Sequence, residues 1–143
     1  MELPVINHPD YVAKINDDNK FPIRKFGALA KHLLENNVVK KFHIPKECSF
    51  ETLKTSHSVE YINHIQNKTL DIKAQKRIGF PINDSVVKRS FVATGGTVLA
   101  SKLALDSKLA CNTAGGSHHA TFNFGAGYCV FNDVAVAANY LKN

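Results

Sequence analysis

Between Arg24 and Asn37 the apolar residues Phe26, Leu29, Ala30, Leu33 and Leu34 recur three and four positions apart, which places them on one face of an α-helix. Asn36-Asn37 supplies the stop. Val87, Phe91, Gly95, Val98 or Leu99, and Leu103 trace one face of a longer helix. Gly95-Gly96 inside it costs about 1 kcal/mol per glycine relative to alanine, so the pair predicts close packing against a neighbouring backbone. Ser58 is placed to cap a shorter helix whose apolar edge is Tyr61, Ile62 and Ile65, and Ser49 to cap a helical turn running to Lys54. Asn132 or Asp133, with Asp133 favoured, caps a last helix carrying Val134, Val136, Ala137 and Leu141.

Shorter apolar runs read as strands. Leu3 to Asn7 is a first strand closed by His8-Pro9-Asp10; Val38 to Phe42 is a second extended segment; Leu109 to Thr113 is a third. Arg77-Ile78-Gly79-Phe80-Pro81 reads as a loop punctuated by glycine and proline. Strands and helices alternating in this order predict an α/β fold with a mainly parallel sheet and helices on its faces. No repeat, low-complexity tract or linker divides residues 1–143, so one domain is expected.

Composition narrows the class. A chain of 143 residues, 44% hydrophobic and 21% charged, has enough apolar content for a core. No apolar stretch approaches the roughly 20 residues of a membrane span, and Met1-Glu2-Leu3-Pro4 lacks the pattern of a signal peptide, so a cytoplasmic protein without membrane contact is expected. Cys48, Cys111 and Cys129 are widely spaced and fit reduced thiols, Cys111 reading as a small buried residue. The net charge of +6 comes from lysines scattered along the chain. They predict a solvated basic surface; a nucleic-acid site ranks last among the functional readings, since such a footprint clusters on one face.

The chemistry concentrates in Gly115-Gly116-Ser117-His118-His119-Ala120, just beyond the carboxyl end of the third strand, where open α/β sheets place their ligand sites. Gly115 and Gly116 let the backbone turn tightly. Adjacent imidazoles can divide labour, one taking a proton from water while its charged neighbour stabilises developing negative charge. His57 and His64 lie at or within a helix start and read as surface or packing residues.

The run at 115–120, then Gly125-x-Gly127-Tyr128-Cys129, then Phe131-Asn132-Asp133-Val134-Ala135-Val136-Ala137-Ala138 resembles the active-site signature of the histone deacetylase superfamily, which includes acetoin-utilisation proteins and acetylpolyamine amidohydrolases. Leu3 to Tyr11, Phe21-Pro22-x-x-Lys25-Phe26, His57-x-x-x-Tyr61, Arg77 to Pro81, Arg89-Ser90 through Gly95-Gly96-Thr97 and Ala104-Leu105 are similar to the short, class IV-type branch, so the resemblance covers nearly the whole chain. It implies the N-terminal half of a three-layer α/β/α arginase/deacetylase-like fold.

The resemblance also implies a reaction, hydrolysis of the acyl-amide bond of an acetylated lysine side chain or a small acetylated amine, with zinc or iron as cofactor. It makes His119 the general base and His118 the partner that stays protonated. Gly127 would offer its carbonyl to the substrate amide, and Tyr128, where the family more often has phenylalanine, would wall the tunnel that holds the acyl-lysine stem. Gly115, Gly116, Asn132 and Asp133 would support the loop, and Cys129 would pack beside the tunnel.

The family's Asp-x-His motif, its later aspartate and its carbonyl-polarising tyrosine have no counterpart after Asp133, where the only tyrosine is Tyr140. The metal ligands are therefore expected outside this chain, residues 1–143 being a domain that stops before the metal-ligand strand. Without an ion, water keeps a pKa near 15.7 instead of about 7, so the chain alone is expected to be inactive. A complementing C-terminal chain is the expected partner. The second reading is a degenerate, non-catalytic module that binds an acyl ligand or a protein.

Overall fold

A computed structural model of the protein describes residues 3–142. Strand β1 (Val5–Ile6) pairs in parallel with β2 (Cys111–Asn112), Val5 opposite Cys111 and Ile6 opposite Asn112. On the other edge of β1, His43 forms a parallel bridge to Ile6, its N–H donating to the Val5 carbonyl at 2.9 Å while Asn7 N–H donates to the His43 carbonyl at 3.2 Å. β1 is thus the middle of a short parallel sheet. The extended segment expected at Val38 to Phe42 is reduced to this one bridge at His43.

Six helices surround it among the described residues: α1 (Lys25–Glu35), α2 (Phe50–Leu53), α3 (Val59–Gln66), α4 (Ile72–Ile78), α5 (Asp84–Ser107) and α6 (Asp133–Lys142). Pro9–Tyr11 forms a 3-10 turn directly after β1. The serine caps hold as read: Ser49 Oγ accepts from Thr52 N–H and Ser58 Oγ from Tyr61 N–H, each at 3.1 Å. They satisfy amides that the first helical turn leaves without an intrahelical acceptor.

α5 is the axis of the molecule. Its N-cap is Asn83, whose side chain accepts from Val86 N–H at 2.9 Å. The expected single apolar face is too narrow a description, because Val86, Arg89, Ser90, Phe91, Val92, Ala93, Thr94 and Gly96 are all buried, nearly every direction around the helix. Ser90 and Thr94 hydroxyls donate back to the Val86 and Ser90 carbonyls, which lets polar residues enter the interior without an unmet hydrogen bond. Close packing at the glycines is real. A Cβ on Gly95 would lie 2.0 Å from the Lys46 carbonyl oxygen, and one on Gly96 2.1 Å from the Tyr11 hydroxyl.

Four other sequence expectations change. The α1 stripe buries only Phe26, leaving Leu29 and Leu34 exposed at 42% and 43%, since among the described residues little but the 3-10 turn covers that face. Arg77 and Ile78 end α4 instead of opening a loop; Asp71 caps its start, and Gly79 closes it at φ +90°, a conformation that costs glycine little. Cys111 is exposed, because the face of β2 that carries it is uncovered. Val134 and Leu141 of α6 are also exposed, whereas Val136 and Ala137 are buried. The core is formed by Tyr11, Leu53, Ile62, Ile65, Ile78, Val86, Val92, Phe131 and Val136.

Candidate active site

Gly115 to His119 leave the end of β2 as a loop that α6 holds from beneath. Asp133, in the first turn of α6 and 1% exposed, accepts from Gly116 N–H at 3.0 Å and Ser117 N–H at 2.8 Å, and from the Thr97 hydroxyl of α5. Three donors and the positive end of a helix satisfy a carboxylate that burial would otherwise penalise. The N-cap is Asn132, not Asp133: Asn132 Oδ1 accepts from Ala135 N–H at 3.0 Å, while its amide donates to the carbonyls of Ala120 at 3.0 Å and His118 at 3.3 Å. Cap and clamp are adjacent residues with separate tasks.

The clamp reaches the core through a chain of polar side chains. Tyr11 OH donates to Asn112 Oδ1 at 2.8 Å, Asn112 Nδ2 donates to Thr97 Oγ1 at 2.9 Å, and Thr97 donates onward to Asp133. Burial pushes the Tyr11 hydroxyl above its ordinary range, so it remains a donor. Sequence reading passed over Tyr11, Asn112 and Thr97 as functional support. The sequence signals them only as an asparagine near the end of an apolar run and a threonine directly after the paired glycines.

His118 and His119 stand exposed at the surface with ring centroids 4.2 Å apart and planes 35° from parallel. His118 Nδ1 donates to the Gly116 carbonyl at 2.9 Å, which puts a proton on Nδ1 and turns Nε2 away from that bond. Gly116 can present this carbonyl because its φ is +96°. His119 lies against Gly127: a Cβ there would come within 3.1 Å of the imidazole Cγ. A side chain there would press on the imidazole, and the left-handed backbone at φ +53° also favours glycine.

The opposite wall is carried by the end of α4. Its last carbonyls, which have no intrahelical donor, accept from the second loop: Arg77 O from Gly127 N–H at 3.2 Å and Ile78 O from Tyr128 N–H at 2.6 Å. Gly127 and Tyr128 both adopt the left-handed region, at φ +53° and +64°. For tyrosine this is uncommon and costs of order 1 kcal/mol, offset here by those bonds and by aromatic packing on Phe21 and Phe80 at 4.9 Å and 5.4 Å. Among the described residues the Gly127 carbonyl receives only a weak contact, from Cys129 Sγ at 3.5 Å. Cys129 itself is buried.

His57 enters this region unannounced by its sequence position. It is 1% exposed, its Nε2 accepts from Asn132 N–H at 2.9 Å, and its ring packs on Phe131 and Tyr61. Its Nδ1 has no partner among the described residues. Burial pulls its pKa below the usual 6.5, opposed in part by the backbone of Thr121 and Phe122. Together with Tyr61 of α3, whose hydroxyl donates to the Val130 carbonyl at 2.7 Å, His57, just before that helix, anchors the second loop.

The two loops line a cleft of about 310 Å³ together with Phe21, Lys25, Phe26 and Arg89; Gly115, Gly116, His119 and Gly127 are exposed, and Ala114, Cys129 and Arg89 are buried. Among the described residues, no three His, Cys, Asp or Glu side chains converge to hold a metal ion. Both Asp133 oxygens are taken by loop donors, and His118 Nδ1 by a carbonyl. These residues do not on their own fit a zinc or iron centre.

Comparison with known proteins decides the family. Residues 20–143 match the family model of the histone deacetylase domain. The chain belongs to the histone deacetylase family. It is 42% identical to an uncharacterised protein of Picosynechococcus sp., over 99% of this chain and 48% of that protein. It is 27% identical to histone deacetylase 2 of Arabidopsis thaliana, over 84% of this chain and 33% of that one. With the acetoin utilization protein AcuC of Staphylococcus aureus the identity is 24%, over 90% and 36%. The chain thus spans at most about half the length of these relatives.

The same α/β fold is seen in the crystal structure of a histone deacetylase homologue complexed with SAHA, at a TM-score of 0.83 and 24% identity, over 99% of this chain and 41% of that one. A homologue from Aquifex aeolicus superposes equally well. No described helix is long and apolar enough to cross a membrane.

Proposed function

We propose that this chain supplies the histidine pair and one wall of the acyl-amide site of a zinc-dependent deacetylase, acting on acetylated lysine side chains or small acetylated amines. The observation that carries this reading is His119 packed against Gly127 in a cleft that Tyr128 also lines, with the histidine loop clamped by Asp133. His119, both of whose nitrogens lack a protein partner among the described residues, is positioned to take a proton from a nucleophilic water. His118, its Nδ1 proton held by Gly116, presents positive charge beside the developing oxyanion when doubly protonated. The Gly127 carbonyl accepts the substrate amide N–H, and Tyr128 with Phe21 lines the slot for the alkyl stem.

Zinc is implied by the family, and the ligands for it belong to residues other than those described here. The 143 residues alone therefore bind an acyl-lysine side chain without turning it over. The check is to titrate purified residues 1–143 with an acetyl-lysine peptide, with chelator and then with zinc, and to assay free lysine. Binding in both conditions with no turnover is expected. Metal-stimulated turnover overturns the assignment of the ligands to other residues, and absence of binding overturns the site itself. A non-catalytic acyl-binding module gives the same result for this chain and separates only in an assembly that supplies the rest of the relatives' length. There, His119→Ala abolishes hydrolysis if the deacetylase reading holds and changes nothing if the site only binds.

A further inference from the structure

We propose that the exposed stack of Arg77 on Phe124 is a specificity element of this site, recognising an acidic residue that flanks the acyl-lysine of a polypeptide substrate. The inference rests on the deacetylase reading above. It narrows the two substrate classes to one, a lysine side chain within a peptide that carries aspartate or glutamate close by.

Arg77 stands in the last turn of α4, and its backbone carbonyl accepts from Gly127 N–H at 3.2 Å. Its side chain therefore starts beside a residue that lines the cleft. The guanidinium carbon lies 4.7 Å from the Phe124 ring centroid. Phe124 belongs to the stretch that joins His119 to Gly127, and its carbonyl accepts from Thr121 N–H at 2.8 Å, which closes that stretch into a turn. The stack thus ties the end of α4 to the connection between two cleft residues.

Both members of the stack are exposed. An aromatic face against a guanidinium fixes its plane and leaves N–H edges free, and those edges match the two oxygens of a carboxylate. Among the described residues no carboxylate lies within ion-pair distance of Arg77. Lys73, Lys76 and Arg77 are spaced to share one face of α4, and all three are exposed. Asp71, at the other end of that helix, is engaged in accepting from Ala74 N–H at 2.7 Å. Lys25 and Arg89 line the cleft, and no acidic side chain does. A substrate with a basic flank meets like charge here, whereas a carboxylate meets a held cation that lacks a partner. The flank concerned is one or two residues from the acyl-lysine, because Arg77 is bonded to Gly127 and an extended peptide advances only about 3.5 Å per residue.

The test titrates the purified chain with three peptides that differ only in the residues beside acetyl-lysine: glutamate, glutamine or lysine. In dilute buffer the glutamate peptide is expected to bind about threefold more tightly than the glutamine peptide and about tenfold more tightly than the lysine peptide, differences that shrink as salt is raised. Arg77→Gln erases the glutamate advantage, and Arg77→Glu reverses the order of the glutamate and lysine peptides. Phe124→Leu keeps an apolar side chain but removes the ring that holds the guanidinium, and it cuts the advantage by about half. Lys40→Gln, at an exposed position before the His43 bridge and so at the opposite end of the sheet, keeps the ranking, which separates a local contact from the net charge of +6. Equal binding of the three peptides, a ranking that survives Arg77→Gln, or one that Lys40→Gln abolishes as fully, overturns the assignment to Arg77 and leaves the deacetylase reading standing. Failure of all three peptides to bind overturns the deacetylase reading, and this inference with it.

Discussion

At the scale of single residues, Asp133 governs whether the histidine loop has a defined shape. It collects two backbone amides and the Thr97 hydroxyl in a place closed to water. Asp133→Asn replaces one acceptor oxygen with an NH2 group facing a donor, so one contact is lost and another becomes repulsive. A cost of about 2–3 kcal/mol is expected, read as a lower urea midpoint at unchanged slope, together with amide shifts at Gly116 and Ser117. Unchanged stability and unchanged loop resonances would show that the clamp is dispensable. The histidines, Gly127 and Tyr128 were visible in the sequence because they sit in contiguous motifs. Asn112 and Thr97 were not, because the hydrogen bonds that give them a role span 15 and 36 residues. His57 was legible only as a surface or packing residue; that it is a packing one, bonded to Asn132 75 residues away, is long-range information.

At the scale of elements, helices whose apolar residues recur three and four apart were legible even where, as in α1, little of the stripe is buried, and α4, which lacks such a stripe, was not. α3 has Ser58 and three buried apolar residues, whereas α4 buries only Ile78 and leaves Ile72 exposed at 66%. α4 was still signalled at both ends, by Asp71 and Gly79. It matters to the site because its terminal carbonyls hold Gly127 and Tyr128. In α5 the sequence argument for tight packing at the glycine pair yields a prediction against propensity. Gly95→Ala gains about 1 kcal/mol as a better helix former. Yet the new methyl would meet the Lys46 carbonyl at 2.0 Å, backbone that does not yield easily. A net loss of about 2–3 kcal/mol is expected in thermal unfolding. A stabilised variant would mean the 44–48 segment is free to retreat.

For the whole molecule, His57 links the site to stability. Its folded-state pKa is depressed below 6.5 by burial, so below pH 6.5 the unfolded chain binds a proton that the folded chain refuses. The contribution is therefore present above pH 6.5 and is lost as pH falls toward the folded value. Urea unfolding at pH 7 and pH 5 should show a larger drop for the wild type than for His57→Gln; equal drops would remove His57 from the acid sensitivity. By itself, the sequence determined the parallel α/β character, the capped helices and the family, since periodicity, caps and contiguous motifs are local properties written in neighbouring residues. Only the tertiary structure decided which faces are covered, that Asn132 caps while Asp133 clamps, and that Arg89 is buried against Phe26 with its Nε donating to the Tyr11 carbonyl. Burial and partner choice arise when residues distant along the chain meet, and no local pattern encodes who meets whom.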